Sequence, residues 1–218
     1  MVEARIIVHS VNHFTRRVKM RIIGLTGGIS SGKSQVTQFF MKQHVPVLDA
    51  DAIVKQLQQP NSPLLQDIAD AFGANMIENG ALNRQALGEL IFTNEKAKQT
   101  LNALTHPRVR QVFEEEIATY RQLQTPLLVL DIPLLFESHF EDLADLIVVV
   151  SVSYDIQLER LMKRDQISKE YAHSKIMSQL PLALKCERAD YVIHNNGQLE
   201  DLQKELNDFY KKVLKCGN

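Results

Sequence analysis

The sequence predicts an α/β fold with three layers, α/β/α, in which a five-stranded parallel sheet lies between helices. Five short segments have the composition of strands, namely 22–25, 45–49, 126–131, 146–150 and 189–193. Three of them are almost entirely apolar, which is typical of parallel strands that are buried on both faces. Helical patterns separate the segments along the chain, and this alternation favours a sheet that is covered on both sides.

A glycine-rich motif after the first segment predicts the binding of a nucleoside triphosphate. Gly27, Gly32, Lys33 and Ser34 occupy the fixed positions of G-x-x-x-x-G-K-S, between a strand and a helix. Glycines let successive N–H groups converge on one phosphate, and the helix adds its positive end. We therefore expect a P-loop NTPase in which Lys33 reaches the phosphates and Ser34 ligates Mg²⁺. The predicted nucleotide contacts are Gly27, Ser30, Ser31, Gly32, Lys33, Ser34 and Gln35.

Acidic residues stand where two later strands end. Asp49 and Asp51 follow the second segment, and Asp131 closes the third. Ligands bind at this edge of open α/β sheets, so one of Asp49 and Asp51 is expected to be a general base or an outer Mg²⁺ ligand. The other is expected to cap the next helix. Asp131 has the Walker B pattern and is predicted to hold Mg²⁺ through water.

The remaining pattern divides the chain into a core, a helical insertion and a lid. Residues 20–59, 126–153 and 186–218 are assigned to the nucleotide-binding core, which includes an amphipathic C-terminal helix that covers the sheet. Residues 60–125 form a helical substrate-binding subdomain without a convincing strand. Residues 154–185 are weakly periodic and polar, which suits a lid that closes over the triphosphate.

Two pairs of arginines are candidates for binding phosphate. Arg108 and Arg110 follow His106-Pro, which is expected to begin the third helix of the insertion because proline favours early helical positions. Such a pair is more often part of a solvated helix face. Arg160 and Arg164 lie one helical turn apart in the lid and could both reach the transferring phosphoryl group. Pairing with acids on a surface helix is the alternative.

Composition excludes several classes of partner. A net charge of −1 provides no global field to hold a nucleic-acid backbone. No apolar run approaches the roughly 18 to 20 residues that span a bilayer. Cys186 and Cys216 have no C-x-x-C spacing and are expected to be free thiols in the cytoplasm. We expect a monomer or a small homo-oligomer.

Residues 1–19 are expected to be an N-terminal extension upstream of the true start at Met20. Its four basic residues are typical of a transit peptide, but its apolar pattern is poor. An extra N-terminal strand built on residues 5–8 is the competing hypothesis.

The ordered set of motifs from about residue 20 to 215 resembles the dephospho-CoA kinase family. The matching stretches include the glycine motif, Asp49-Ala-Asp, Leu82-Asn-Arg, His106-Pro, Pro133-Leu-Leu-Phe-Glu, residues 160–165, Gln179 and 188–197. This resemblance implies ATP-dependent phosphorylation of the 3′-hydroxyl of dephospho-CoA, with ATP and Mg²⁺ as cofactors. It implies that Asp51 is the base and that Arg160 and Arg164 stabilise the transferring group. It also implies that Asn195 and Gly197 lie near adenine, and that Asp49, Asp51, His106, Arg108 and Arg110 bind substrate.

Two positions depart from the family pattern. Ser30 stands where glycine is frequent, and a small residue is expected to be tolerated there if its φ is negative. Lys175 replaces a frequent arginine, and a lysine keeps the charge but lacks the planar fork.

Three alternatives to this family remain. Another small-molecule or nucleoside monophosphate kinase would share the core and lid, although the long helical insertion favours a bulkier acceptor. A GTP-dependent switch would require an N-K-x-D motif, which the sequence lacks. A nucleic-acid-dependent ATPase would require a basic, aromatic stripe, which is also missing.

Overall fold

The computed structural model describes residues 19–215. The strands are β1 (Arg21–Gly27), β2 (Val47–Asp49), β3 (Ile77–Glu78), β4 (Ala81–Leu82), β5 (Leu127–Asp131), β6 (Leu146–Ser151) and β7 (Tyr191–His194). The α-helices are α1 (Lys33–Lys42), α2 (Ala50–Leu57), α3 (Pro63–Phe72), α4 (Arg84–Thr93), α5 (Glu95–Gln122), α6 (Tyr154–Asp165), α7 (Lys169–Met177), α8 (Leu182–Glu187) and α9 (Leu199–Lys215). Apart from Lys19, the predicted extension 1–19 and its competing strand lie outside the described residues, as does Cys216.

Five strands form one parallel sheet in the order β2-β5-β1-β6-β7. Asp131 at the end of β5 is in register with Leu25 of β1 on one side and with Asp49 of β2 on the other. The carboxyl ends of these strands therefore meet at one edge of the sheet. The predicted α/β class and five-stranded parallel sheet are confirmed.

Alternate residues of the central strands enter two different cores, so the sheet is the middle of three layers. Ile22, Leu128 and Leu130 pack with residues of α2 and α5 on one face. Ile23, Leu25, Leu127 and Val129 pack on the other face with α1 and α9. The predicted role of the C-terminal helix as a cover of the sheet is confirmed, and its buried residues are Leu202, Leu206, Phe209 and Val213.

The helical insertion contains a small hairpin that the sequence analysis missed. β3 and β4 pair antiparallel through a two-residue turn at Asn79 and Gly80, whose φ angles are 50° and 79°. Positive φ at both central residues is the type I′ turn, and Asn-Gly is its strongest sequence signal. The expectation that residues 60–125 contain no strand was therefore wrong. The insertion has its own apolar core, which includes Leu64, Ile68 and Leu87.

The third helix of the insertion begins well before His106. Helix α5 runs for 28 residues, from Glu95 to Gln122, with Pro107 inside it. Its true start is marked by Asn94, whose side chain accepts a hydrogen bond from the N–H of Ala97 at 3.0 Å. Packing offsets the backbone hydrogen bond that Pro107 cannot donate, because α5 buries Thr105, Val109, Phe113 and Ile117 at four-residue spacing on both sides of the proline.

The segment predicted to be the lid, residues 154–185, contains α6, α7 and the first four residues of α8. Helices α6 and α7 share a small apolar core of Leu158, Leu161 and Ala172. In the described residues no helix is long and apolar enough to cross a membrane.

A fully buried lysine connects α8 to the core. Lys185 has no exposed surface, and its Nζ lies 2.8 Å from Oε1 of Glu137. The same carboxylate oxygen accepts a hydrogen bond from the N–H of Leu180 at 3.0 Å, just before α8. Removing one partner of a buried ion pair leaves the other charge uncompensated, which is strongly destabilising.

We predict that Lys185→Met lowers the free energy of unfolding by about 3 kcal/mol. Methionine preserves much of the side-chain volume but leaves the Glu137 carboxylate without its cationic partner. Urea unfolding monitored by circular dichroism measures this change. Adding Glu137→Gln to the same chain should recover part of the loss. A single variant as stable as the unaltered protein would contradict this account of the pair.

Candidate active site

The phosphate loop, residues 27–34, connects the end of β1 to the start of α1. Gly32 caps α1 with a φ of 92°, and the N–H of Ser31 donates to the carbonyl of Gly28 at 3.0 Å. Ser30 has a φ of 58°, in the left-handed region. The condition under which a serine was expected to be tolerated at this position, a negative φ, is therefore not met. This conformation costs a serine roughly 1–2 kcal/mol, because its Cβ approaches a backbone carbonyl oxygen.

Three side-chain amides hold this loop from outside. The Nδ2 of Asn195 donates to the carbonyl of Ser31 at 2.8 Å, and the Nε2 of Gln157 donates to the carbonyl of Ile29, also at 2.8 Å. The N–H of Ile29 in turn donates to Oε1 of Gln179 at 3.1 Å. Asn195 is buried and contacts the loop. The expected proximity of Asn195 to adenine stays a prediction. The same holds for Gly197, which is exposed. Gln157 was not predicted from the sequence, although a polar residue among the apolar positions of α6 was an available signal.

Lys33 and Asp131 form an ion pair between α1 and β5. The second oxygen of the buried Asp131 carboxylate accepts a hydrogen bond from the Thr37 hydroxyl at 2.6 Å. Ser34 follows Lys33 and is exposed. The two residues predicted to hold a metal, Ser34 and Asp131, thus flank Lys33 at the carboxyl edge of the sheet.

The two acids after β2 have different roles. Asp49 caps α2, since its Oδ1 accepts from the N–H groups of Asp51 at 2.8 Å and of Ala52 at 3.4 Å. Asp51 instead faces the phosphate loop. Partial burial raises the pKa of the Asp51 carboxyl above its ordinary 3.8; the Asp49 and Asp131 charges raise it further, and Lys33 opposes them. A carboxylate with a raised pKa beside a phosphate site is suited to accept a proton.

A cavity of about 300 Å³ gathers the central residues of the candidate site. It is lined by residues 27–34 together with Asp51, Pro133, Arg164 and Gln179. The hydroxyl oxygens of Ser30 and Ser31 are buried there without a hydrogen-bond partner among the described residues. The cavity therefore combines backbone and hydroxyl donors, a lysine and an arginine with one carboxylate, which is the composition of an anion site with a base at its rim.

The two lid arginines differ in their positions. Arg164 lines the cavity, and its Nε donates to Asp165 at 2.7 Å. Lys175 donates to the same carboxylate at 2.8 Å, so the lysine that departs from the family pattern keeps a charge contact. These two cations hold the pKa of the Asp165 carboxyl well below its ordinary value. Arg160 lies one turn before Arg164 and does not line the cavity.

The residues predicted on the insertion lie away from this cavity. Arg108 pairs with Asp67, and Arg110 donates to both oxygens of Asp142 at 2.9 and 2.7 Å. The His106 ring meets the edge of Phe140, with ring centroids 5.9 Å apart. Burial, with a smaller contribution from His139, lowers the pKa of His106 below its ordinary value and favours the neutral imidazole. The role of these three side chains in binding substrate stays a prediction.

A phosphate loop at the edge of a parallel sheet, facing a proton acceptor and an arginine, defines a P-loop kinase. The sequence comparisons specify the family. The family model of dephospho-CoA kinase matches residues 21–201. A dephospho-CoA kinase of Lactobacillus johnsonii is 42% identical and covers 88% of this chain and 97% of its own. One of Bacillus licheniformis is 44% identical, with coverage of 85% and 92%. The chain belongs to the dephospho-CoA kinase family.

Solved structures agree with this assignment. TT1252 from Thermus thermophilus superposes with a TM-score of 0.76 at 33% identity, covering 88% of this chain and 97% of the other. Dephospho-CoA kinase from Campylobacter jejuni gives 0.69 at 28% identity, covering 90% and 98%. A shikimate kinase from Acinetobacter baumannii gives 0.53 at 13% identity, covering 91% and 95%, and shares the fold alone.

We predict that Gly32→Ala destabilises the protein by about 1–3 kcal/mol and weakens nucleotide binding at least tenfold. The φ of 92° is strained for alanine, and the added Cβ would collide with Nδ2 of Asn195, which holds the loop. Thermal unfolding and titration with a fluorescent ATP analogue measure the two effects.

Gly88→Ala is the matched control. A Cβ at Gly88, inside α4, meets no atom within 4 Å. This variant should gain about 0.5–1 kcal/mol of stability and keep its nucleotide affinity. Equal losses in both variants would show that position 32 has no special constraint.

Proposed function

We propose that this chain transfers the γ-phosphoryl group of ATP to the 3′-hydroxyl of dephospho-CoA, producing CoA and ADP in the last step of CoA biosynthesis. The observation that carries the proposal is the cavity in which Asp51 and Arg164 face the phosphate loop. Membership of the family supports the identity of the acceptor.

The site residues suit an in-line transfer. In this proposal the Asp51 carboxylate accepts the proton of the attacking 3′-hydroxyl, whose oxygen bonds to the γ-phosphorus as the bond to the β,γ-bridging oxygen breaks. The loop N–H groups and Lys33 bind the phosphates, and Arg164 offsets charge on the transferring group. Arg160, one turn before Arg164 on α6, would contribute only after the predicted lid closes.

The residues around Lys33 fit a magnesium ion. Ser34 and Asp131 offer only oxygen ligands, which Mg²⁺ prefers, and Mg²⁺ in kinases takes one or two protein ligands together with phosphates and water. The described residues contain no cluster of three His, Cys, Asp or Glu side chains that could hold a metal ion. A magnesium ion that is bound mainly by phosphates and water does not require such a cluster. Ser34 would hold the ion directly and Asp131 through water. The ion would neutralise charge on the β- and γ-phosphates.

The helical insertion is proposed to bind the remainder of the acceptor. His106 and Arg110 flank Phe140, with the Arg110 guanidinium 5.3 Å from the ring centroid. For Arg108 and Arg110 to bind substrate phosphates, they would have to exchange Asp67 and Asp142 for the ligand. A cytoplasmic location and a monomer or small homo-oligomer stay predictions from the sequence.

The direct test is product formation from ATP, Mg²⁺ and dephospho-CoA, followed by chromatography. We expect CoA and ADP in equal amounts, with no comparable stimulation of ADP release by AMP, adenosine or shikimate. Lys33→Ala should lower the rate at least a hundredfold, because phosphate positioning and charge stabilisation are most of the catalysis. Preferred phosphorylation of another acceptor would keep the kinase chemistry and refute the proposed substrate.

We predict that Asp51→Asn lowers kcat by about a hundredfold to ten-thousandfold and leaves the affinity for an ATP analogue nearly unchanged. In the unaltered enzyme, kcat should rise with pH through a midpoint above 3.8, the direction in which the Asp51 pKa is shifted. A loss of analogue affinity with kcat preserved would instead make Asp51 a ligand of the metal shell.

The raised pKa of the Asp51 carboxyl also affects the stability of the folded protein. Because the folded pKa of Asp51 is raised, the folded state binds this proton more tightly than the unfolded chain does. The contribution of Asp51 to stability therefore falls as pH rises from 3.8 to its folded pKa and stays unfavourable at neutral pH. Asp51→Asn should raise the melting temperature at pH 7, as measured by scanning calorimetry. A lowered melting temperature would contradict the direction of the shift.

A further inference from the structure

In the phosphate loop, two carbonyls that are two residues apart each accept a hydrogen bond from a side-chain amide outside the loop. Gln157 donates to the carbonyl of Ile29, and Asn195 donates to the carbonyl of Ser31. Both amides are almost fully buried, with exposed fractions of 3% and 4%. Gln157 comes from α6, and Asn195 is the residue that follows β7.

A trans peptide group is planar, so its C=O and N–H point in opposite directions. The carbonyl of Ile29 belongs to the same peptide group as the N–H of Ser30, and the carbonyl of Ser31 to the same group as the N–H of Gly32. An amide that binds either carbonyl from behind therefore turns the attached N–H the other way. Within residues 19–215, neither of these N–H groups has an acceptor, whereas the N–H of Ser31 between them donates to Gly28.

Gln179 completes the arrangement from the other side of Ile29. Its Oε1 accepts from the N–H of Ile29, so both polar groups of this residue bind side chains from outside the loop. Ser30 and Gly32 next to these bonds have φ angles of 58° and 92°. Such backbone conformations persist only where the surroundings over-determine them, and the three amides supply that constraint.

We propose that Gln157, Gln179 and Asn195 are positioning residues that aim the N–H groups of Ser30 and Gly32 at the nucleotide phosphates. The inference rests on the proposed use of ATP and adds no contact between these amides and the ligand. Gln157 and Arg164 are seven residues apart on α6, two helical turns, and so lie on one face. The bond from Gln157 to Ile29 thereby also sets the position of Arg164 relative to the loop.

The test uses Gln157→Met and Asn195→Leu, which keep the approximate volume and remove the donor. Gln203→Met is the matched control, because Gln203 is exposed on α9 and its side chain makes no described hydrogen bond. The probes are a non-hydrolysable ATP analogue and inorganic tripolyphosphate, each titrated by calorimetry. No acceptor is present, so failure of the proposed acceptor chemistry would not affect the result.

We expect each donor variant to bind both probes about tenfold more weakly, and the control to bind them normally. Hydrogen exchange at the N–H groups of Ile29 and Ser31, which are hydrogen-bonded in the unaltered protein, should quicken about tenfold, with exchange in the sheet strands unchanged. A merely structural role would accelerate exchange throughout the chain. Such uniform acceleration, or affinities within twofold of the unaltered protein, would overturn the proposal.

Discussion

The structure depends on one constraint, which is that several backbone N–H groups must converge on one anion in the turn between β1 and α1. This turn places Ser30 and Gly32 in the left-handed region and directs two carbonyls, of Ile29 and Ser31, to side chains outside the loop. Those carbonyls need partners, since buried polar groups without hydrogen bonds are costly. The partners come from α6 and from the residue that follows β7, so the loop is stable only within the completed sheet.

Parallel strand order brings the other functional groups to the same edge. Because β1 lies between β5 and β6, the loop is next to Asp131 on one side and the start of α6 on the other. β2 lies beyond β5 and delivers Asp51 to the rim of the cavity. The sheet thus collects groups more than a hundred residues apart in sequence, and no local interaction could hold them together.

Charge compensation separates the roles of the acids at this edge. Asp131 is buried and paired with Lys33 and Thr37, so its charge is offset before any ligand arrives. Asp49 is engaged in capping α2. Among residues 19–215, Asp51 has no comparable hydrogen-bonded partner, and it lies near two other carboxylates, which disfavours its ionised form. The same environment that weakens Asp51 as an anion makes it the stronger base.

The apolar core shared by α6 and α7 is small, with three buried residues. Small cores favour segments that open locally.

The sequence by itself determined the elements whose signals are local. The glycine motif, the five strands and the amphipathic C-terminal helix follow from spacing and periodicity, and Asn79-Gly80 and Asn94 carried equally local signals that were overlooked. Tertiary structure alone decided that Ser30 takes a positive φ, that Pro107 lies inside α5, and which of the two acids caps a helix. It alone brought Gln157, Gln179 and Asn195 to the phosphate loop. The reason is physical: strain and a missing hydrogen bond are tolerated only when distant residues pack against them, and a single sequence does not state which residues those are.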